Sequence, residues 1–380
     1  MDFAFVPPQT PALIIDQVAL IANIRRLQSL CDAGGVALRP HGKMHKCSTI
    51  AHLQRAAGAI GLCCQTVGEA EAFVRGGVGD LLVSAPIAPW GAARIAALVA
   101  EKGTAIAVVC DSEAQIDRLG AAALIAGVTI GALVDINIGM HRVGCTPAEV
   151  PALAARIEAT AGLRYRGVQA YFGHIQHITD GRAEANARGT AILKTIVEAL
   201  RAAGLPPETV TGGGSGTYSF DIAGGVFTEL QCGSYAVMDV EYEDSGGPDG
   251  DWPFRPALFV ATTIISARHK THVTADAGLK ALGSDVAARV VYGGAPGSLW
   301  RALGDEHAAI IHPSALGIDV EAIDADDAIA WPEGAPREGD TVWLQPGHVD
   351  PTINLYDAFY AVAADGSFER WPIDARRVSP

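Results

Sequence analysis

No stretch of this 380-residue chain is apolar for long enough to cross a bilayer. Its opening, "MDFAFVPPQTPALIID", lacks the basic segment and long apolar run of a secretory leader, so a soluble, cytoplasmic protein without a membrane partner is expected. Basic residues are in the minority: 28 lysines and arginines against 42 aspartates and glutamates leave a formal charge of −14. Such a molecule repels a phosphate backbone, which sets nucleic acid aside as a partner. Seven cysteines, Cys31, Cys47, Cys63, Cys64, Cys110, Cys145 and Cys232, are odd in number and never fall in C-x-x-C pairs. That pattern excludes a disulfide scaffold and a zinc ribbon, and the adjacent Cys63 and Cys64 in apolar "AIGLCCQTV" read as small core residues. A repeat of fixed period and low-complexity tracts are also missing.

What is present is 49% hydrophobic and 18% charged residues with 43 glycines, the composition of a glycine-turned α/β enzyme. Short apolar runs alternate with alanine-rich helical patterns that stop at glycine. Eight such runs, "VALRP", "IGLCCQ", "DLLVSA", "AIAVVCD", "IGALVDIN", "YRGVQAYF", "TVTGGG" and "ELQCGSY", fit a (β/α)8 TIM barrel over residues 13–245. Near "EDSGGPDGDWPFRP" the helical period fades. Beyond it "ALFVATTIISARH", "HVTADAGL", "TVWLQPG" and "DAFYAVAADGSFERWPI" read as strands, the last as a hairpin over Asp365-Gly366. Residues 1–12 and 250–380 are therefore expected to form a second, β-rich domain.

Three places carry chemistry. "RPHGKMHK" ends the first strand, where side chains of such a barrel face the active site, so Lys43 is placed as a nucleophile. Arg39, His41, His45 and Lys46 are expected to surround it with cations that favour its neutral amine, although a solvated basic loop has the same spacing. "TGGGSGTYS" follows a later strand and "LQCGSYAVMD" the next. Backbone amides there, with the hydroxyls of Ser215 and Ser234, suit a phosphate, while tight turns use glycine equally. In "LQPGHVDPTINLYD", His348 and Asp350 are two apart, so on an extended segment both would point the same way and share a divalent cation; an ordinary proline turn has the same residues.

Nine pieces occur in order along nearly the whole chain: "RPHGKMHK", "CCQTVGEAEAF", "GMHRVG", "QAYFGHIQH", "GGGSGTYSF", "ELQCGSYAVMD", "DAGLK", "DEH" and "GHVDPTINLYD". Each is weak alone, but the ordered set closely resembles the D-threonine aldolase and D-serine dehydratase group. These are fold-type III pyridoxal-phosphate enzymes with the alanine racemase fold.

The resemblance implies a site. Lys43 would hold pyridoxal 5′-phosphate as a Schiff base, with Lys46 ranked second. Arg142 would meet the ring hydroxyl, Tyr171 would pack beside the ring, and the neutral Gln231 would stand near the ring nitrogen. Gln65, Ser215, Gly216, Gly233, Ser234 and Tyr242 match cofactor-contacting positions, mostly around the phosphate. His177, with His174 or a metal-bound water behind it, would take the substrate's hydroxyl proton. The dehydratases of this group carry histidine and cysteine as metal ligands. Asp350 replaces that thiolate with a harder oxygen, which favours Mn²⁺ or Mg²⁺ and the aldolase branch. The implied activity is cleavage of small-molecule D-3-hydroxy-amino acids by a homodimer. The rivals are a D-3-hydroxyaspartate aldolase releasing glyoxylate, a metal-dependent dehydratase, and a catalytically silent cofactor carrier, which would need neither a metal pair nor a second domain.

Overall fold

The computed structural model describes residues 5–101, 103–319 and 333–376. The expected β-rich domain thus includes residues 1–4, 320–332 and 377–380, which lie outside the described residues. The chain divides into two compact units: residues 24–235 with 245–253, and residues up to 23 with 236–244 and 254–376.

In the first unit all eight expected strands form, as Ala37–Leu38, Leu62–Cys64, Asp80–Val83, Ala105–Cys110, Ile130–Ile136, Leu163–Ala170, Thr209–Gly212 and Glu229–Leu230. Each pairs in parallel with its neighbour, and the sheet runs from 37–38 through 229–230 back to 62–64. It closes where His41 bridges Cys63: the Gly42 amide donates to Cys63 O at 2.7 Å and the Cys63 amide to Pro40 O at 2.8 Å. The ring is therefore completed by the backbone that leads into Lys43. Strands buried on both faces read as continuous apolar runs, which is why they were legible. Cys63 packs with Leu82, Val109 and Leu133, and both adjacent cysteines are fully buried. All seven cysteines are free.

Among the described residues the second unit is a nine-stranded sheet. Strands His272–Ala275, Ala308–Ile311, Leu299–Ala302, Arg289–Tyr292, Thr341–Gln345 and Leu258–Ser266 pair antiparallel in that order. The last returns to the first, closing a small barrel. Ala12–Asp16 joins it against Leu258–Ser266, and the hairpin Ala358–Val362/Phe368–Pro372 follows. Its core gathers Ile14, Phe259, Ala261 and Trp343. Among the described residues no helix is long and apolar enough to cross a membrane.

Candidate active site

Residues 39–42 are clamped on both sides, since Arg39 N donates to Leu230 O, His41 N to Cys232 O and Gly42 N to Cys63 O. Lys43 emerges just beyond, half-buried, in a turn shut by Lys46 N on Gly42 O at 2.7 Å. The cations expected around it do not gather as a ring: the two histidines are held in hydrogen bonds, and Arg39 and Lys46 are ion-paired. His41 Nδ1 accepts the Lys43 amide at 3.3 Å, while its Nε2 lies 2.9 Å from Ser84 Oγ, whose hydroxyl donates to Cys64 O. His45, fully buried, accepts the Cys47 amide at Nδ1 and meets Gln54 Oε1 with Nε2. A ring nitrogen that accepts from an amide carries no proton, so both imidazoles are neutral Nε2–H tautomers. Lys46 Nζ is 2.5 Å from Glu69 Oε1. Arg39 reaches Glu229 and Asp80 at the first residues of their strands, the opposite end of the barrel from Lys43. Apart from Gln54, nine positions from His45, these side-chain partners come from 23 to 190 positions away, beyond what spacing displays.

The glycine loop follows strand Thr209–Gly212. The Gly216 amide donates to Gln176 Oε1 at 2.9 Å, and a Cβ on Gly216 would lie 2.0 Å from Gln176 O. Only glycine permits that approach. Ser215 Oγ accepts the Tyr235 amide at 3.0 Å, tying this loop to Gly233 and Ser234, which are half-buried. Gly233 in turn lies against the turn carrying Lys43: a Cβ there would sit 3.4 Å from His41 Cβ and 3.6 Å from Met44 Cβ. Asp221 was not anticipated. Fully buried, it accepts from Thr217 Oγ1 and Asn186 Nδ2 at 2.6 Å each and from the Gly214 amide; burial outweighs these bonds and pushes its carboxyl up to about 7. Arg182, also unanticipated, donates to Gly216 O, Ser245 O and Gly246 O.

Tyr171 follows strand Leu163–Ala170, and the exposed Arg142 guanidinium sits 5.9 Å from its ring centroid, within cation–π range. Gln231 is buried; its amide donates to Gln169 Oε1 at 3.0 Å and Thr211 Oγ1 at 2.8 Å, and Gln169 donates to Asp135 at 2.9 Å. Burial raises the Asp135 carboxyl to about 7, against the Gln169 hydrogen bond. Gln65 is half-buried and its amide donates to Glu69 Oε2, part of the capping box that starts helix Val67–Arg75. His177 is half-buried, two residues past the turn Gly173–Ile175, and His174 is exposed. Between them Gln176, fully committed to Gly216, Thr217 and Phe172, is the structural member of the motif. Tyr242 belongs to the β-rich unit, where its amide donates to Asp239 Oδ1.

Within the barrel unit, then, the turn bearing a primary amine packs against a hydroxyl-bearing glycine loop, and an aromatic ring with a guanidinium follows the C-terminal end of another strand. That donor set fits a phosphorylated aromatic aldehyde such as pyridoxal phosphate.

In the β-rich unit the extended geometry expected for His348 and Asp350 is not observed. His348 is the extended residue before helix Val349–Ile353, and Asp350 lies in its first turn. The turn nonetheless brings them together, with Nε2 3.8 Å from Asp350 Oδ2. His348 Nδ1 is 2.5 Å from Asp285 Oδ2. Burial lowers the imidazole's affinity for a proton, but the Asp285 hydrogen bond and the Asp350 charge outweigh it, so its pKa is raised. Asp239 lies beneath, fully buried, accepting the Val349 and Tyr242 amides at 3.0 Å each; burial pushes its carboxyl up to about 7. Two ligands at ~2.1 Å from one ion stand at most ~4.2 Å apart, so the pair fits a shared divalent cation. Among the described residues no three His, Cys, Asp or Glu side chains form a metal cage, so water or substrate would complete the coordination.

An eight-stranded parallel barrel with a loop lysine and a glycine turn, joined in one chain to an antiparallel β-barrel, defines the alanine racemase-like class. Residues 15–240 match the alanine racemase N-terminal domain and residues 257–362 the putative serine dehydratase domain. The chain belongs to the alanine racemase-like family, in the group that holds the D-threonine aldolases and D-serine dehydratases. It is 38% identical to a D-threonine aldolase of an Arthrobacter species, over 97% of this chain and 93% of that one. It is 37% identical to a 3-hydroxy-D-aspartate aldolase of Paracoccus denitrificans (strain Pd 1222), over 97% and 92%. The crystal structure of D-threonine aldolase from Filomicrobium marinum superimposes with a TM-score of 0.87 at 35% identity, covering 97% of this chain and 96% of that one.

Proposed function

We propose that this protein is a carbon–carbon lyase, a pyridoxal-phosphate- and divalent-metal-dependent aldolase that cleaves D-3-hydroxy-amino acids of the D-threonine type to glycine and an aldehyde. The observation that carries the reading is the half-buried Lys43, set among neutral imidazoles and joined through Gly233 and Ser215 to the glycine loop. The near full-length likeness to D-threonine aldolases supports the substrate class.

Lys43 would hold the cofactor's aldehyde carbon. Ser215, Gly216, Gly233, Ser234, Gln65 and Tyr242 would hold its phosphate, and Tyr171 with Arg142 its ring. The Gly216 amide is already given to Gln176, so that residue serves by shaping the turn. When bound, the cofactor supplies an electron sink for the carbanion left as Cα–Cβ breaks. A divalent cation, Mn²⁺ or Mg²⁺, on His348 and Asp350 would lower the pKa of the β-hydroxyl. His177 then takes the hydroxyl proton, with His174 the exposed substitute. The Lys43 amine returns a proton to Cα, giving glycine. Gln231 is neutral and hydrogen-bonded on its amide side to Gln169 and Thr211, so it presents no charge to hold a proton on the ring nitrogen. A homodimer in the cytoplasm completes the proposal.

The likeness to a 3-hydroxy-D-aspartate aldolase supports a second reading, in which the released product is glyoxylate. Incubation with D-threonine, L-threonine, D-3-hydroxyaspartate and D-serine, followed by identification of products, decides. Glycine with acetaldehyde from D-threonine is expected. Preferential release of glyoxylate selects the second reading, keto acid from D-serine selects a dehydratase, and equal turnover of L-threonine overturns the proposal.

A further inference from the structure

We propose that Asp285 is the positioning residue of the cation site, fixing the His348 ring so that its bare Nε2 faces Asp350. This rests on the reading of His348 and Asp350 as the ligand pair. A coordinating imidazole must be neutral, with its proton on the other nitrogen. Asp285 Oδ2, 2.5 Å from Nδ1, accepts that proton's hydrogen bond and leaves the Nε2 lone pair on the Asp350 side, 3.8 Å from its carboxylate. The two ring nitrogens diverge, so Asp285 on one side does not share an ion held on the other.

Asp285 is itself held for this purpose. The Gly283 amide donates to Thr352 Oγ1 at 2.9 Å, and the Thr352 hydroxyl donates to His348 O at 2.8 Å. Tyr356 OH reaches Ala281 O at 2.8 Å. Gly283 packs so closely on Pro351 that a Cβ would stand 2.7 Å from its ring. Residues 281–285 are thus strapped to 348–356, and the carboxylate meets the ring at its Nδ1 edge. The cavity at the start of the barrel strands, lined by Arg39, Asp80 and Glu229, pairs its own charges and shows no such directed geometry.

The test titrates pyridoxal-phosphate-loaded wild type, Asp285→Ala, Asp285→Asn and His348→Ala with MnCl₂, reading free Mn²⁺ by electron paramagnetic resonance and thermal midpoint without metal. Wild type should bind one Mn²⁺ per chain, and His348→Ala should bind none at that site. Asp285→Ala should weaken binding by about 10–100-fold. Asp285→Asn, whose amide oxygen still accepts from Nδ1–H, should recover part of that loss, with thermal midpoints close to wild type. Wild-type affinity in Asp285→Ala, with His348→Ala defective, overturns this proposal alone. Loss of affinity in step with the thermal midpoint and without recovery in Asp285→Asn assigns Asp285 a structural role and overturns it too. No Mn²⁺ binding by wild type, or unchanged binding by His348→Ala, overturns the ligand pair and this proposal with it.

Discussion

Lys46 Nζ lies 2.5 Å from Glu69 Oε1, and Glu69 simultaneously accepts the Gln65 and Thr66 amides at the start of helix Val67–Arg75. One carboxylate thus takes up the second lysine of "HGKMHK", which supports Lys43 over Lys46 as the proposed cofactor lysine. Borohydride reduction of the holoprotein followed by peptide mapping should find the adduct on Lys43. Lys46→Ala should still carry it but lose about 3 kcal/mol of stability, because a buried carboxylate loses its cation. An adduct on Lys46 reverses the assignment.

Asp350 belongs to the β-rich unit and Lys43 to the barrel. Asp350→Ala should keep the absorption of bound pyridoxal phosphate and lose at least about 100-fold in cleavage rate, since the proposed cation ligand is gone. Asp350→Cys should retain a metal but shift preference toward zinc, the softer partner of thiolate. Full activity of chelator-treated wild type would make the pair structural.

Asp221 titrates near pH 7 in the folded chain instead of near 3.8. Between those values the folded state keeps a proton that the unfolded chain releases, so stability from this group is complete at low pH and is lost as pH rises through about 7. The urea midpoint of wild type should fall from about pH 5 to about pH 8 more steeply than that of Asp221→Asn. Equal slopes would show the carboxyl ionised throughout.

Gly216→Ala would drive a methyl to 2.0 Å from Gln176 O, a backbone atom that cannot turn aside. The loop must shift, at about 1–3 kcal/mol. Cofactor retention on dialysis, followed by absorbance, should drop well below that of Ser215→Ala, which leaves the backbone path intact. Equal retention would remove the turn from the cofactor site.

By itself the sequence determined the eight parallel strands, the buried cysteines and the hairpin, because each is written in a local run: continuous apolar stretches, glycine stops and a two-fold alternation. It also placed Lys43 at a strand end, since strand order and loop position coincide in a barrel. Strands Arg289–Tyr292, Leu299–Ala302 and Ala308–Ile311 were not legible, the first two being short and largely exposed. The apolar Ala12–Asp16 reads like the barrel strands yet pairs with Leu258–Ser266 some 250 residues on. Tertiary structure alone decided that Arg39, His41, His45 and Lys46 do not form a cationic ring, and that Asp221, Asp285 and Glu69 pair with the glycine loop, His348 and Lys46. Propensity and periodicity act over a few residues, whereas a hydrogen-bond partner is chosen by whichever distant strand or loop the closed barrels bring alongside, and no local pattern encodes that neighbour.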